Sequence, residues 1–96
     1  MKLTYHPNVR RDLDEATRYY SQADEKLAND FWNEITVALE DIRRFPTRHH
    51  FDASGLRRKN LKRFPYHILF EILADRIRVI VVRHDRRNPK FGVGRQ

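Results

Sequence analysis

The first half of the chain carries two stripes of apolar residues at the three- and four-residue spacing of amphipathic helices. The first stripe consists of Val9, Leu13, Ala16 and Tyr20. The second, which Trp32 and Leu39 widen, consists of Leu27, Phe31, Ile35, Ala38, Ile42 and Phe45. Asp24 is predicted to cap the second helix and Pro46 to end it. The two stripes therefore predict an antiparallel helical hairpin.

Three acidic residues of the first predicted helix, Asp12, Asp14 and Glu15, are absent from the apolar stripe. We interpret all three as solvent-exposed charges with no catalytic role.

Four segments outside the hairpin are typical of β-strands. They are KLTYH (2–6), LRRKNLKRF (56–64), YHILFEIL (66–73) and IRVIVVRH (77–84). The order β-α-α-β-β-β predicts an α+β fold, with the helical hairpin packed on one face of an antiparallel sheet. The last three strands are expected to form an antiparallel meander, and the last strand is the candidate partner of the first. Its centre, residues 79–82, is apolar throughout, as in a central strand.

Length and composition set limits on the class of protein. Ninety-six residues predict a single domain, 1–96. The absence of cysteine argues against a disulfide framework and against thiolate metal sites. No stretch approaches the roughly 18 apolar residues of a membrane span. We expect a cytoplasmic protein that needs no metal and no cofactor.

Charge is distributed unevenly along the chain. Residues 1–42 hold 5 Lys/Arg against 9 Asp/Glu, a net charge of −4, whereas residues 43–96 hold 15 against 4, a net charge of +11. A basic half of this kind favours binding to a polyanion, either nucleic acid or an acidic protein.

The basic half contains the residue types that metal-independent RNA cleavage requires. Histidine accepts or gives a proton near neutral pH, and arginine stabilises negative charge on phosphate. The candidate catalytic residues are His84, His67, Arg86, Arg87 and Arg58. The candidate nucleic-acid or target-binding residues are Lys59, Lys62, Arg63, Arg83, Lys90 and Phe91. We expect these side chains to converge on one exposed patch; the alternative is that the cations merely solvate an uncovered sheet face.

Four segments in order resemble the RelE/ParE superfamily of type II toxin–antitoxin toxins. They are HPNVRRDLDEATRYY, ALEDIRRFP, GLRRKNLKRFPYHILFEI and IRVIVVRHDRRNPKF, and together they span nearly the whole chain. The resemblance implies a RelE-like fold and a small toxin that arrests growth unless an antitoxin encoded nearby binds it.

The resemblance leaves two targets open. RelE-like members cut messenger RNA on the ribosome, and ParE-like members poison DNA gyrase. Where the nucleases have an arginine early in the third strand this chain has His67, and where they have a C-terminal tyrosine it has Phe91, which has no hydroxyl. These departures slightly favour the ParE-like function, with the RelE-like endoribonuclease as the alternative. A basic binding module without toxicity is a third hypothesis.

The antitoxin is the expected partner, in a possible hetero-oligomer. An acidic, partly disordered chain would cover both the basic surface and apolar side chains that do not fit a small core. The candidate antitoxin-binding residues are Trp32, Tyr19 and Phe51.

Overall fold

Two helices pack on one face of a four-stranded sheet, in the predicted order. The computed structural model describes residues 1–96. Its elements are β1 (Lys2–Tyr5), α1 (Val9–Ala23), α2 (Glu25–Arg44), a 3₁₀ turn (Pro46–Arg48), β2 (Arg57–Asn60), β3 (Tyr66–Ile72) and β4 (Arg76–His84). Neither helix has both the length and the apolar character that crossing a membrane requires.

The strands lie in the order β1-β4-β3-β2. The antiparallel meander of β2, β3 and β4 and the pairing of the first strand with the last are both confirmed. Strand β1 runs parallel to β4, however, so the sheet is mixed and not wholly antiparallel. Parallel pairing needs a long connection, and the helical hairpin and the two intervening strands supply it.

The helix ends follow the local sequence. The Asp24 carboxylate accepts a hydrogen bond from the Lys26 backbone N–H at 3.0 Å, which satisfies one of the free donors at the start of α2. Helix α2 ends at Arg44, one residue before the Phe45–Pro46 pair. Helix α1 begins after Asn8, so Pro7 lies just outside it. The predicted stops and starts are therefore confirmed to within a residue or two.

The main core lies between the helical hairpin and the sheet. Both apolar stripes, apart from Phe45, pack there against alternate residues of β3 and β4, and Leu27 is only partly buried. An aromatic cluster closes one end: the Phe31 ring lies 5.2 Å from that of Tyr20, 5.3 Å from Phe64 and 5.2 Å from Tyr66. The contacts with Phe64 and Tyr66 are edge-on, and aromatic pairs of this kind add stabilisation beyond the area they bury.

Strand β2 is shorter than the predicted strand 56–64. It ends at Asn60, and the chain then turns so that Leu61 and Phe64 are both buried in the main core. Two residues three apart point the same way in a turn but not in a strand, where side chains alternate. The apolar pair therefore favours the turn.

Strand β4 is buried on both of its faces. Its register with β3 jumps from Leu69–Val81 to Phe70–Val79, so Ile80 has no partner in β3 and forms a bulge. The residues of the main core lie on the helical side, whereas Val81 lies under the C-terminal segment (residues 85–96), where an added side-chain carbon on Gly92 would be 2.6 Å from it. The predicted basic tail is thus a folded cover.

The edge of β4 beyond β1 is completed by two side chains. The Asp12 carboxylate accepts a hydrogen bond from the Val82 backbone N–H at 3.1 Å, and the Arg95 guanidinium donates to the Ile80 carbonyl at 3.0 Å. Arg95 also binds both carboxylate oxygens of Asp12, at 2.6 and 2.9 Å. This ion pair takes the place of the strand hydrogen bonds that β1 is too short to provide.

The interpretation of Asp12 as a solvent-exposed charge was wrong, because only 2% of its side chain is exposed. The sequence contained the signal. Asp12 follows Val9 by three residues and precedes Ala16 by four, so it lies on the buried face of α1. Asp14 and Glu15 are exposed, as expected.

Replacing Asp12 with alanine is expected to lower the free energy of unfolding by about 3–5 kcal/mol, because it leaves Arg95 and the Val82 N–H without their partner. Urea denaturation measures the loss. The matched control is Asp14→Ala on the same helix, whose carboxylate is 61% exposed and 3.8 Å from Arg10, and which should change stability by less than about 0.5 kcal/mol. Equal losses from the two variants would contradict the assigned role of Asp12.

Gly92→Ala is expected to destabilise the protein by about 1–3 kcal/mol, because the new methyl group has no room against Val81. The positive φ of Gly92, 78°, adds strain for any other residue. Gly94→Ala is the matched control, since nothing lies within 4 Å of the added carbon there. Thermal unfolding of the two variants should separate them clearly; similar midpoints would show that the C-terminal segment does not pack on β4.

Candidate functional site

The cations of the basic half do not converge on one patch, contrary to our expectation. Side chains alternate along β2, so Arg58 and Lys59 point to opposite faces of the sheet. Lys59 faces helix α2, where its ammonium group lies 3.0 Å from the Asp41 carboxylate. In the turn after β2, Arg63 pairs with Asp30 of the same helix at 2.8 Å. Both residues were predicted to bind a target, and both are neutralised by α2.

On the opposite face, a polar network holds three of the predicted site residues together. Arg58 donates to Asp52 at 3.0 Å and lies 3.7 Å from Asp85. Asp85 in turn accepts from the imidazole of His67. The two carboxylates thus balance the charge of the arginines in this network, so Arg58 is not a free cation.

His67 is only 1% exposed, and both of its ring nitrogens are engaged. Its Nδ1 lies 2.8 Å from Asp85, and its Nε2 accepts a hydrogen bond from Arg83 Nε at 2.8 Å. Because arginine only donates, the proton of the neutral ring lies on Nδ1. Burial lowers the pKa of His67, against the opposing effect of the hydrogen bond that the ring donates to Asp85. The prediction of His67 as an accessible acid or base is therefore wrong.

Arg83 was predicted to bind the target but is also buried. Its guanidinium donates to the backbone carbonyls of Pro89 at 2.7 Å and Phe91 at 3.0 Å. Both carbonyls belong to the C-terminal segment. Arg83 therefore anchors that segment to the sheet and is not available to an external ligand.

Asp52 forms the far end of the network. Burial alone would raise its pKa, but hydrogen bonds from the backbone and side chain of Ser54 and from Arg58 outweigh burial and lower the pKa to about 2. The carboxylate stays charged throughout the physiological range, and it lies 3.8 Å from Arg83. It is therefore a permanent counterion for both arginines.

Three predicted site residues of the C-terminal segment are exposed and form no ion pair. They are Arg86, Arg87 and Lys90, which we call the tail cations. The Arg87 guanidinium lies 3.9 Å from the centre of the Phe91 ring, a cation–π contact. Arg87 and Phe91 line one wall of a cleft of about 480 Å³, with Arg11 of α1 among its other residues. Lys62 is also exposed but lines a different cleft, beside α2.

His84 lies at the end of β4, on the helical side of the sheet. Its Nδ1 accepts a hydrogen bond from the Arg86 backbone N–H at 3.0 Å, and its ring is 5.1 Å from that of Tyr66. It lines a small cleft of about 140 Å³ with Tyr19 and Arg87. Of the two candidate histidines, only His84 is therefore placed near a free cation in an open cleft.

The three candidate antitoxin-binding residues are all exposed but lie apart. Trp32, 49% exposed, lines a groove of about 600 Å³ with Tyr5, Pro7 and Leu39. Tyr19 lies in the cleft of His84 instead. Phe51 stacks under the Arg57 guanidinium, 4.3 Å from the ring centre. Only Trp32 thus belongs to an extended apolar groove.

The chain contains no group of three or more His, Cys, Asp or Glu side chains placed to hold a metal ion. Three residues of the polar contacts were not singled out from the sequence: Asp52, Asp85 and Arg95. Asp52 pairs with Arg58 and Arg83, Asp85 lies near Arg58, and Arg95 pairs with Asp12. Only the scarcity of acids in the basic half, 4 against 15 Lys/Arg, hinted that Asp52 and Asp85 would have partners.

Comparison with known proteins agrees with this architecture. A structure described as "Chromosomal ParDE TA system from P. aeruginosa" contains a chain that superposes with a TM-score of 0.77 at 17% sequence identity, covering 88% of this chain and 95% of that one. At this identity the likeness shows the fold. No curated protein matches the sequence.

The sequence also matches a family profile directly. The profile describes the ParE toxin of the type II toxin–antitoxin system parDE, and it matches residues 3–89. The match includes both helices and all four strands except Lys2, the first residue of β1. The chain therefore belongs to the ParE toxin family, within the RelE/ParE superfamily that its sequence pattern resembles.

Proposed function

We propose that this type II toxin poisons DNA gyrase in the cytoplasm and that the tail cations contact the target. The observation that carries the proposal is the position of Arg86, Arg87 and Lys90: three exposed, unpaired cations on a segment fixed to the central strand. The family supports the gyrase target over messenger RNA. A rigidly held charged segment suits recognition of a large target, because little ordering cost arises on binding.

The arrangement gives less support to RNA cleavage. Proton transfer at both ends of the reaction needs two accessible groups. His67 is buried between Asp85 and Arg83, and Phe91 has no ionisable group. His84 remains, in the cleft that also holds Arg87, and it is the reason to keep cleavage as the second candidate function.

Two assays in cells distinguish these functions. Expression of the chain alone should stop growth; normal growth would favour the non-toxic binding module. Gyrase-dependent DNA breaks after induction support the proposal. Cuts in cellular messenger RNA that disappear in His84→Ala, without DNA breaks, would overturn it in favour of the endoribonuclease.

The triple variant Arg86→Gln, Arg87→Gln, Lys90→Gln should lose at least about tenfold in gyrase inhibition, because it removes three charges that attract DNA-bound gyrase. If the cations contact DNA phosphates, the slope of the logarithm of the binding constant against the logarithm of the salt concentration should become less negative by about 2–3. The control variant Lys2→Gln, Arg18→Gln, Arg44→Gln removes the same charge from exposed positions elsewhere. Equal loss in both variants would mean that only net charge matters.

For the antitoxin, we propose that an apolar segment fills the groove beside Trp32 while acidic residues of the same chain approach the tail cations. The groove is the more extended of the two sites that hold candidate antitoxin residues, at about 600 Å³ against 140 Å³. Trp32 and Tyr5 combine large apolar area with few rotatable bonds, which is typical of residues that dominate binding energy.

Trp32→Ala is expected to weaken antitoxin binding by about 2 kcal/mol or more, roughly 30-fold, because the side chain anchors the groove. Calorimetric titration of the purified pair measures it. Val37→Ala is the matched control: Val37 is also an exposed apolar residue of α2, but it lines a different cleft. A Val37 effect as large as that of Trp32 would place the antitoxin elsewhere on α2.

A further inference from the structure

Arg83 joins His67 to the C-terminal segment. One side of its guanidinium, Nε, donates to His67, and the other, Nη1, donates to the carbonyls of Pro89 and Phe91. These two residues flank Lys90 and follow the other tail cations. The placement of the exposed cations therefore depends on the rotamer that Arg83 adopts.

His67 fixes that rotamer, provided that its Nε2 carries no proton. The neutral ring accepts from Arg83 through Nε2 while Asp85 holds the proton on Nδ1, each contact 2.8 Å long. Since the ring is buried, water cannot replace Arg83 as a partner without opening the segment.

A proton on His67 Nε2 would remove the acceptor of the Arg83 hydrogen bond, and two N–H groups would then point at each other. It would also add a positive charge to a site whose charges already sum to zero. The charged groups facing His67 are Arg83 on β4, Arg58 on β2 and Asp85 in the turn after β4. Asp52, in the loop before β2, lies behind them and pairs with both arginines. Two carboxylates already neutralise two guanidinium groups, so the imidazolium would have no counterion of its own.

We propose that His67 is a positioning residue whose neutral form locks the C-terminal segment on the sheet through Arg83, and whose protonation unlocks it. No ligand is required for this change, because the locked and unlocked states differ only in one proton on His67 and in the contacts of Arg83. The consequence for toxicity rests on the proposed role of the tail cations; the locking itself does not.

The sign of the pH dependence follows from burial. Desolvation lowers the pKa of His67 below its usual value near 6.5. Above about pH 6.5, His67 is neutral in both states, and its full contribution to the stability of the locked state is present. As the pH falls below that value, His67 takes up a proton in the unfolded or unlocked chain but not in the locked state. The free energy that favours the locked state therefore falls progressively until the pH reaches the lowered pKa.

Amide hydrogen exchange measures the lock directly. The backbone N–H groups of Phe91, Val93 and Arg95 are hydrogen-bonded within the segment and report its opening. Their protection, corrected for intrinsic exchange, should fall at least about tenfold between about pH 8 and pH 5, while amides of β3 stay protected. Protection that does not change with pH would overturn the proposal.

Two variants isolate His67. His67→Gln keeps an oxygen to accept from Arg83 but does not titrate, so protection of the segment should lose its pH dependence. Arg83→Gln should lower protection at every pH. His50→Gln, at an exposed histidine, is the control and should behave as the wild type. A pH dependence that survives in His67→Gln would assign the effect to another group.

Nitrogen NMR of the wild-type imidazole keeps the test independent of whether a variant folds. At about pH 8 the proton should lie on Nδ1, and the ring should titrate together with the segment amides. A proton on Nε2, or titration without release of the segment, would overturn the proposal.

Gyrase inhibition by purified toxin separates this inference from the proposed function. A fall in inhibition from about pH 8 to pH 5, the interval over which exchange is measured, that His67→Gln abolishes supports both. If exchange shows the release but inhibition is unchanged, the lock stands and the tail cations are not the target contact.

Discussion

Strand β4 is apolar on both faces, and each face must be covered for the strand to remain in the middle of the sheet. The helical hairpin covers one face with its apolar stripes. The C-terminal segment covers the other, with Gly92 against Val81. The two covers meet at the open edge of the strand, where Asp12 of α1 and Arg95 of the segment bind each other and the β4 backbone. The rest of the structure follows from this double covering.

Covering the second face has a consequence for charge. Arg83 lies buried beneath the segment with Arg58 half-buried beside it, and a buried guanidinium requires a carboxylate. Asp52 and Asp85 supply the negative charge, and His67 orders the contacts between them. What would have been an open basic sheet face is thus an internal network. The unpaired positive charge on this side of the molecule belongs instead to the tail cations, on the outer side of the C-terminal segment.

In a toxin of the ParE family, this arrangement separates two surfaces. The apolar groove of Trp32 lies among β1, α1 and α2, whereas the cleft of Arg87 and Phe91 lies between α1 and the C-terminal segment. Helix α1 is common to both clefts, through residues such as Val9 and Arg11. An antitoxin that extends along α1 from the groove would therefore reach the tail cations.

The elements, their order and the family resemblance follow from the amino-acid sequence alone. Spacing of three and four residues marks the two helices, and the apolar run at 79–82 marks the central strand, because these patterns depend only on local geometry and on which side chains avoid water. Caps at Asp24 and Pro46 follow from single residues for the same reason. The toxin class followed from the order of four segments along the chain.

Which charges remain unpaired depends instead on the three-dimensional fold. Because side chains alternate along β2, Arg58 and Lys59 lie on opposite faces of the sheet. Arg58 is neutralised by Asp52 and Lys59 by Asp41, and nothing in the sequence pattern predicts either pair. The burial of Asp12, visible in its spacing, gains its meaning only from Arg95, 83 positions away. Ion pairs between distant segments depend on how the covers fold onto the sheet, and no local pattern encodes that.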